Sequence, residues 1–270
     1  NKGILDSIAE LSKHTDSMLK PIRSEIPFGS KSIKLDRSQL INELKDTSSK
    51  SSVVILSGSA GVGKTAVIKD FYESVKETVL LVLFNAIQCK NISHINQLFK
   101  NYGEITAAEF SNEHKGISPK YVVIDSAEKL SELEDQDVFR MFLSDLLENG
   151  WSVIFTVRYN YLDDLRFQLK EVYNTTFISL NIPNLTSEEV EKIAKDHGFS
   201  LPRNTRLADL LMTPLYLSEY LQNYVDITEN TSYAEFRDII WKKQIQDSTH
   251  QSKNIHRRRE ECFLKIAQKR

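Results

Sequence analysis

Gly58-Ser59-Ala60-Gly61-Val62-Gly63-Lys64-Thr65 fits the spacing G-x-x-x-x-G-K-[ST]. Residues of these types in this order hold a phosphate chain. The glycines let successive backbone N–H groups converge on phosphate oxygens, and the helix that follows presents its positive end to the anion. Lys64 is expected to reach the β- and γ-phosphates of a nucleotide, and the Thr65 hydroxyl to ligate Mg2+. Ala66, in the first helical turn, completes the set expected to line the nucleotide. The chain has nine glycines, and three of them fall within these six positions, 58–63. A sequence so sparing with glycine has placed it where the backbone must turn tightly and approach a ligand.

Three further residues belong to the same chemistry. Asp125 ends the apolar run Tyr121-Val122-Val123-Ile124 and is expected to hold the Mg2+ hydration shell opposite Thr65. Glu128, three residues on, is the candidate to orient an attacking water, in a stretch that also holds Glu132, Glu134 and Asp135. An acid at a helix start would be favoured there by the dipole as well. Arg158 directly follows another apolar run, Trp151–Val157. A cation at that place can sense a γ-phosphate and stabilise charge in phosphoryl transfer. Lys64, Asp125, Glu128 and Arg158 form the expected catalytic set.

These residues need a scaffold that brings distant segments to one edge. Short apolar runs at 53–56, 79–84, 121–124 and 151–157, and a weaker one at 176–180, alternate with helical stretches at 64–77 and 138–147 and an irregular, mostly helical one at 93–114. Such alternation predicts a mostly parallel five-stranded sheet covered on both faces, an α/β three-layer domain. In open parallel sheets ligands sit at the carboxyl ends of strands, where the phosphate loop, Asp125 and Arg158 all fall. Three domains are expected: an N-terminal helix and linker over 1–30, the nucleotide-binding domain over 31–181, and an all-helical lid over 182–270. In the first, Ile4, Ile8, Leu11 and Met18 form a helical stripe that Thr15 interrupts. Pro27, Gly29 and residues 30–33 read as a loop, and 46–52 as a polar turn after a short helix capped by Asp36. In the last, Thr186-Ser187-Glu188-Glu189 is a capping box, Gly198 a helix exit, and Thr213-Pro214 a cap with proline at the first helical position. Further helices are expected around Phe236–Ile245 and Phe263–Ala267.

Composition sets the outer bounds. The 270 residues are 40% hydrophobic and 27% charged with net charge −2, which excludes a disordered or collagen-like chain and gives no global attraction to nucleic acid or membrane. Two cysteines, Cys89 and Cys262, and six scattered histidines make a disulfide framework or a protein-built metal site improbable and point to a reducing cytoplasm. The run His256-Arg257-Arg258-Arg259 is followed at once by Glu260 and Glu261 and reads as a solvated helix face, although nucleic acid stays open as a partner. A chain that starts at Asn1 and ends at Arg270 within a helical pattern is expected to be a piece of something longer.

With these motifs in order, the sequence resembles the STAND class of P-loop ATPases, which includes NACHT and NB-ARC proteins, and within it bacterial antiviral sensor ATPases. The likeness runs over about residues 31–225. It rests on Leu35-Asp36-Arg37, Gly58–Thr65, Val122-Val123-Ile124-Asp125-Ser126-Ala127-Glu128, Phe155-Thr156-Val157-Arg158 and Met212-Thr213-Pro214-Leu215. The resemblance implies that Arg37 lies near the nucleotide base, that Arg158 senses the γ-phosphate and that Pro214 packs on adenine. It implies an ATP/ADP switch that controls self-association of the full-length protein. Glu128 is followed by Lys129, where the family often has two adjacent acids, a departure that suits slow turnover. The family's winged-helix unit would lie beyond Arg270. Two rivals stand beside this reading. One is an AAA+-type ATPase that remodels or loads nucleic acid or protein, with Arg166 as the candidate cation supplied to a neighbouring subunit. The other is a non-hydrolysing scaffold stabilised by nucleotide. A GTPase is disfavoured because N-K-x-D and T-K-x-D are absent, and a small-molecule kinase because no phosphoacceptor pocket is legible.

Overall fold

The computed structural model describes residues 2–90, 92–112, 118–133 and 135–243. The expected helix at 263–267, the basic run at 256–259 and the candidate residues Glu134, Ile245 and Cys262 lie outside them. The chain divides into two units: residues 1–25 with 34–183, and residues 26–33 with 184–270.

The first unit is built on five parallel strands, β3 (Val53–Gly58), β4 (Leu80–Asn85), β5 (Lys120–Asp125), β6 (Ser152–Arg158) and β7 (Ile178–Ile182), in the order β4-β5-β6-β3-β7. Between them run α3 (Lys64–Val75), α4 (Ala107–Asn112), α5 (Gln136–Glu148) and α6 (Leu162–Phe167). Every residue of β3 and β5 is buried, as expected where helices cover both faces of a parallel sheet. Alternation along the strands splits the core in two. Val53, Ile55, Val82, Phe84, Val122 and Ile124 face Phe139, Phe142 and Leu165. Val54, Leu56, Leu81, Leu83 and Val123 face Val67, Ile68 and Phe71 on the other side. The five-stranded three-layer architecture expected from the sequence is what the chain adopts.

Three local expectations need correction. The first concerns α1 (Lys2–Leu19). Ile8 and Leu11 belong to one half of the core and Leu19 to the other, so the helix wraps the β4 edge. Thr15 does not break its buried stripe. It is fully buried, accepts a hydrogen bond from the Leu83 N–H at 3.0 Å and donates to Leu11 O at 3.1 Å. An edge strand has unpaired N–H groups, and a hydroxyl on the covering helix satisfies one where an aliphatic group cannot. Second, α2 (Ser38–Lys50) continues through the stretch read as a turn, because Thr47 and Ser48 are small enough to stay buried beside Leu44. Third, residues 25–34 are not a loop. They form a hairpin of β1 (Glu25–Phe28) and β2 (Lys31–Lys34), turned at Gly29 with φ +58°.

Residues 26–33 of that hairpin count with the second unit. There the Phe28 ring meets Phe199 and Tyr224 edge-on, at 5.6 and 5.5 Å between centroids. The rest of this unit, as far as residue 243, is helical: α7 (Ser187–His197), α8 (Thr205–Leu211), α9 (Pro214–Gln222) and α10 (Tyr233–Trp241). The capping box forms as expected. Thr186 accepts from the Glu189 N–H at 3.2 Å and Glu189 from the Thr186 N–H at 2.7 Å. Gly198 exits α7 at φ +73°. Among the described residues, no helix is long and apolar enough to cross a membrane.

Candidate functional site

β3 ends at Gly58, and the parallel register sets Gly58 beside Arg158 of β6 and beside Ile182 of β7. The loop from Ser59 to Gly63 therefore leaves the carboxyl edge of the sheet at the level where Arg158 begins to project. Gly58 has no room for a side chain. A Cβ there would lie 2.8 Å from Val62 Cγ1 and 3.1 Å from Ile182 O. Val62 is buried and plugs the base of the loop, a tight bend held by the Val62 N–H to Ser59 O at 3.4 Å. Gly61 and Gly63 stand at φ +81° and +94°, conformations that side chains resist.

Lys64 opens α3. Its ammonium donates to Gly58 O and to Ser59 O, both at 3.0 Å, and so folds back over its own loop. Burial pushes its pKa below the usual lysine value, and Arg158 pushes the same way, while Glu128 and Asp125 oppose them. The four groups thus share one electrostatic site. Ala66 is buried in the first turn of α3. Thr65 Oγ1 lies 3.4 Å from each carboxylate oxygen of Asp125. A single carboxylate beside a hydroxyl suits Mg2+, which prefers few protein ligands and completes its shell with water and phosphate oxygens. The residues fit the ion.

Glu128 sits in a short 3-10 segment, 127–132, directly after β5. Its side chain is only 9% exposed, and Oε1 forms an ion pair with Arg158 Nε at 3.3 Å, whereas the Arg158 side chain is 60% exposed. Glu128 Oε2 is buried without a hydrogen-bond partner. Buried carboxylate oxygens rarely stay unpaired. The segment is held from behind by a buried polar network: Gln136 Nε2 donates to Leu130 O at 3.0 Å, and Gln168 Nε2 donates to Gln136 Oε1 at 2.6 Å and to Tyr173 OH at 3.0 Å.

The Arg37 guanidinium lies against the loop as well. A Cβ on Gly63 would fall 2.8 Å from Arg37 Nη2, and Nη1 pairs with Asp70 Oδ2 at 3.3 Å. Arg37, Lys64, Thr65, Asp125, Glu128 and Arg158 thus all belong to one edge of the first unit. Pro214 belongs to the second unit, where it is buried at the start of α9. Arg166 is engaged within its own unit, with Asp163 at 3.3 Å and Ser179 Oγ at 3.4 Å.

One residue of the site escaped sequence reasoning. Thr156 of β6 is buried, donates a short hydrogen bond to Asp125 Oδ1 and accepts the Ser126 N–H at 3.0 Å. Its signal was a hydroxyl inside an apolar strand two positions before Arg158, so that both side chains share one face.

No protein-family model matches the sequence, and no curated protein does. Solved structures do match in fold. The Walker-type ATPase PABY2304 of Pyrococcus abyssi superposes with a TM-score of 0.57 at 11% identity, over 77% of this chain and 72% of that one. The Hsp104–casein complex of S. cerevisiae does so with a TM-score of 0.51 at 14% identity, over 88% of this chain and 47% of that one. The Aeropyrum pernix ORC2 protein, solved with ADPNP and ADP, gives 0.49 at 14% identity over 80% of this chain and 68% of that one. The fold is that of P-loop ATPases.

Proposed function

We propose that this chain is an ATP-binding module of the STAND class: a P-loop domain over about 31–181 followed by a helical lid. It binds Mg·ATP at the edge formed by Gly58–Thr65, Asp125, Glu128 and Arg158, and hydrolyses it slowly. Exchange of ADP for ATP reorients the lid and drives self-association of the full-length protein, with antiviral signalling as the setting suggested by the sequence resemblance.

The observation that carries the reading is the Glu128 carboxylate. It is buried beside Lys64 and Arg158 with one oxygen lacking a donor. A water on that oxygen would be oriented for attack by a group held almost out of solvent. The Lys64 ammonium exchanges its two loop carbonyls for phosphate oxygens when a triphosphate enters. Thr65 and Asp125 would hold Mg2+, whose charge offsets that of the phosphates. Arg158 turns from Glu128 toward the γ-phosphate and stabilises the charge of transfer.

Denaturing the purified protein and identifying the released nucleotide tests the ligand, and calorimetry with ATP on Lys64→Ala tests the site. Loss of at least a hundredfold in affinity is expected, the scale of two charge-assisted hydrogen bonds at roughly 1.5–3 kcal/mol each. Unchanged affinity refutes the proposal. Stimulation of turnover by DNA would favour the AAA+-type remodeller instead, and retained ADP with no turnover the scaffold.

A further inference from the structure

We propose that Thr156 is a positioning residue that sets both acids of the site through one hydroxyl, an inference that rests on the Mg·ATP reading above. The Thr156 hydroxyl has one proton and two lone pairs. The proton goes to Asp125 Oδ1. One lone pair takes the Ser126 N–H at 3.0 Å. Both partners come from the end of β5, and both need the hydroxyl for a separate reason.

Asp125 lies 3.4 Å from Thr65 Oγ1 through either oxygen, so Thr65 alone does not choose a carboxylate rotamer. Thr156 does, by holding Oδ1 from the sheet side. Ser126 stands at φ +59°, ψ +47°, a left-handed conformation that residues with a Cβ resist. The bond to Thr156 secures that turn. The turn in turn directs the segment 127–132, which carries Glu128. β6 therefore presents two side chains on one face: Thr156 holds Asp125, and Arg158 meets Glu128 at 3.3 Å. Thr156 touches neither nucleotide nor water in this scheme. It acts through the two acids.

The experiment is calorimetric titration of the full chain with ATP, in Mg2+ and in EDTA, for the unaltered protein, Thr156→Val and Thr156→Ser. Valine keeps the shape and strand preference of threonine and puts a methyl in place of the hydroxyl. The gain in affinity that Mg2+ confers is expected to fall about tenfold in Thr156→Val, to remain within about threefold of the unaltered value in Thr156→Ser, and to leave affinity in EDTA little changed. An undiminished Mg2+ gain in Thr156→Val overturns the inference while leaving the ATP reading intact. Absence of any Mg2+-dependent binding by the unaltered protein overturns that reading and this inference with it. Amide exchange of the unaltered protein tests the geometry without a variant. The Ser126 N–H is expected among the protected amides, and exchange at the rate of an open loop overturns the assignment.

Discussion

Replacing Gly63 by alanine separates two contributions that meet at one atom. The first is backbone strain. Gly63 stands at φ +94°, and a left-handed conformation costs an L-residue about 1–2 kcal/mol. The second is steric. The new Cβ would lie 2.8 Å from Arg37 Nη2, closer than a carbon and a nitrogen tolerate, so the guanidinium must move. That movement stretches the pair between Arg37 and Asp70, at 3.3 Å with side chains 11% and 15% exposed. Such a pair is more sheltered than a surface ion pair, and its disturbance is set at about 1 kcal/mol. Gly63→Ala is therefore expected to lower unfolding free energy by about 2–3 kcal/mol. Arg37→Ala alone, which leaves Asp70 without its partner, is expected to cost about 1 kcal/mol. The double variant cannot lose the Arg37 contact twice, so it should cost about 2–3 kcal/mol, short of the sum by about 1 kcal/mol. Urea denaturation followed by circular dichroism measures all four corners of the cycle. Strict additivity would show that the guanidinium does not press on the loop, and a neutral Gly63→Ala would show that the backbone strain is absent as well.

Two other outcomes follow from the helix that wraps the sheet. Thr15→Val leaves the buried Leu83 N–H, now bonded at 3.0 Å, without an acceptor, which is expected to cost about 1–3 kcal/mol in urea unfolding. Thr15→Ser should recover most of it, and equal stability of all three proteins refutes the edge-capping role. His14 packs on Tyr102 with ring centroids 4.9 Å apart, and burial pushes its pKa below the ordinary 6.5, only partly opposed by Gln88. The unfolded chain then takes up the proton first, so stability is full above pH 6.5 and declines as the pH falls through 6.5 toward the folded value. The urea midpoint should drop between pH 7.5 and 5.5, by less in His14→Gln, and an identical pH dependence in that variant counts against the assignment.

What was legible before folding is what composition and spacing encode directly. Four of the five strands are legible as short apolar runs, since strands buried on both faces leave no polar alternation to confuse with a helix; β7 is weaker because it lies at a sheet edge, where Ile178 and Asn181 are exposed. The bend at Gly58–Gly63 is legible because Gly61 and Gly63 take left-handed backbone geometry that other residues resist. Asp125 and Arg158 followed from their place at strand ends. The polar and small residues were misread. Thr15 and Thr47 look like breaks in an apolar pattern, yet one caps a strand edge and the other fits a crowded helix face. The hairpin at 25–34 resembles a loop in sequence because each strand alternates over only four residues, with Pro27 in the first and Gly29 in the turn.

The same reasoning explains why the support of the site was hidden. Glu128 lies on a 3-10 segment, whose hydrogen bonds are poorer than those of an α-helix, and a carboxylate on such a segment holds its aim only if something else fixes the backbone. Here Gln136 and Gln168 do so from inside the domain, through Leu130 O, while Tyr173 OH donates to Gln136 Oε1 at 2.7 Å and closes the network. Gln168 and Tyr173 come from the chain that follows Arg158, and Gln136 from the start of α5 after the Glu128 segment. The network therefore ties together the two stretches whose tips carry the Arg158–Glu128 pair. A displacement of Arg158 would break its ion pair with Glu128, while the glutamines keep the Glu128 segment in place through Leu130 O. Neutral side chains in two separate segments show no spacing that would reveal them as one unit; only the folded chain does.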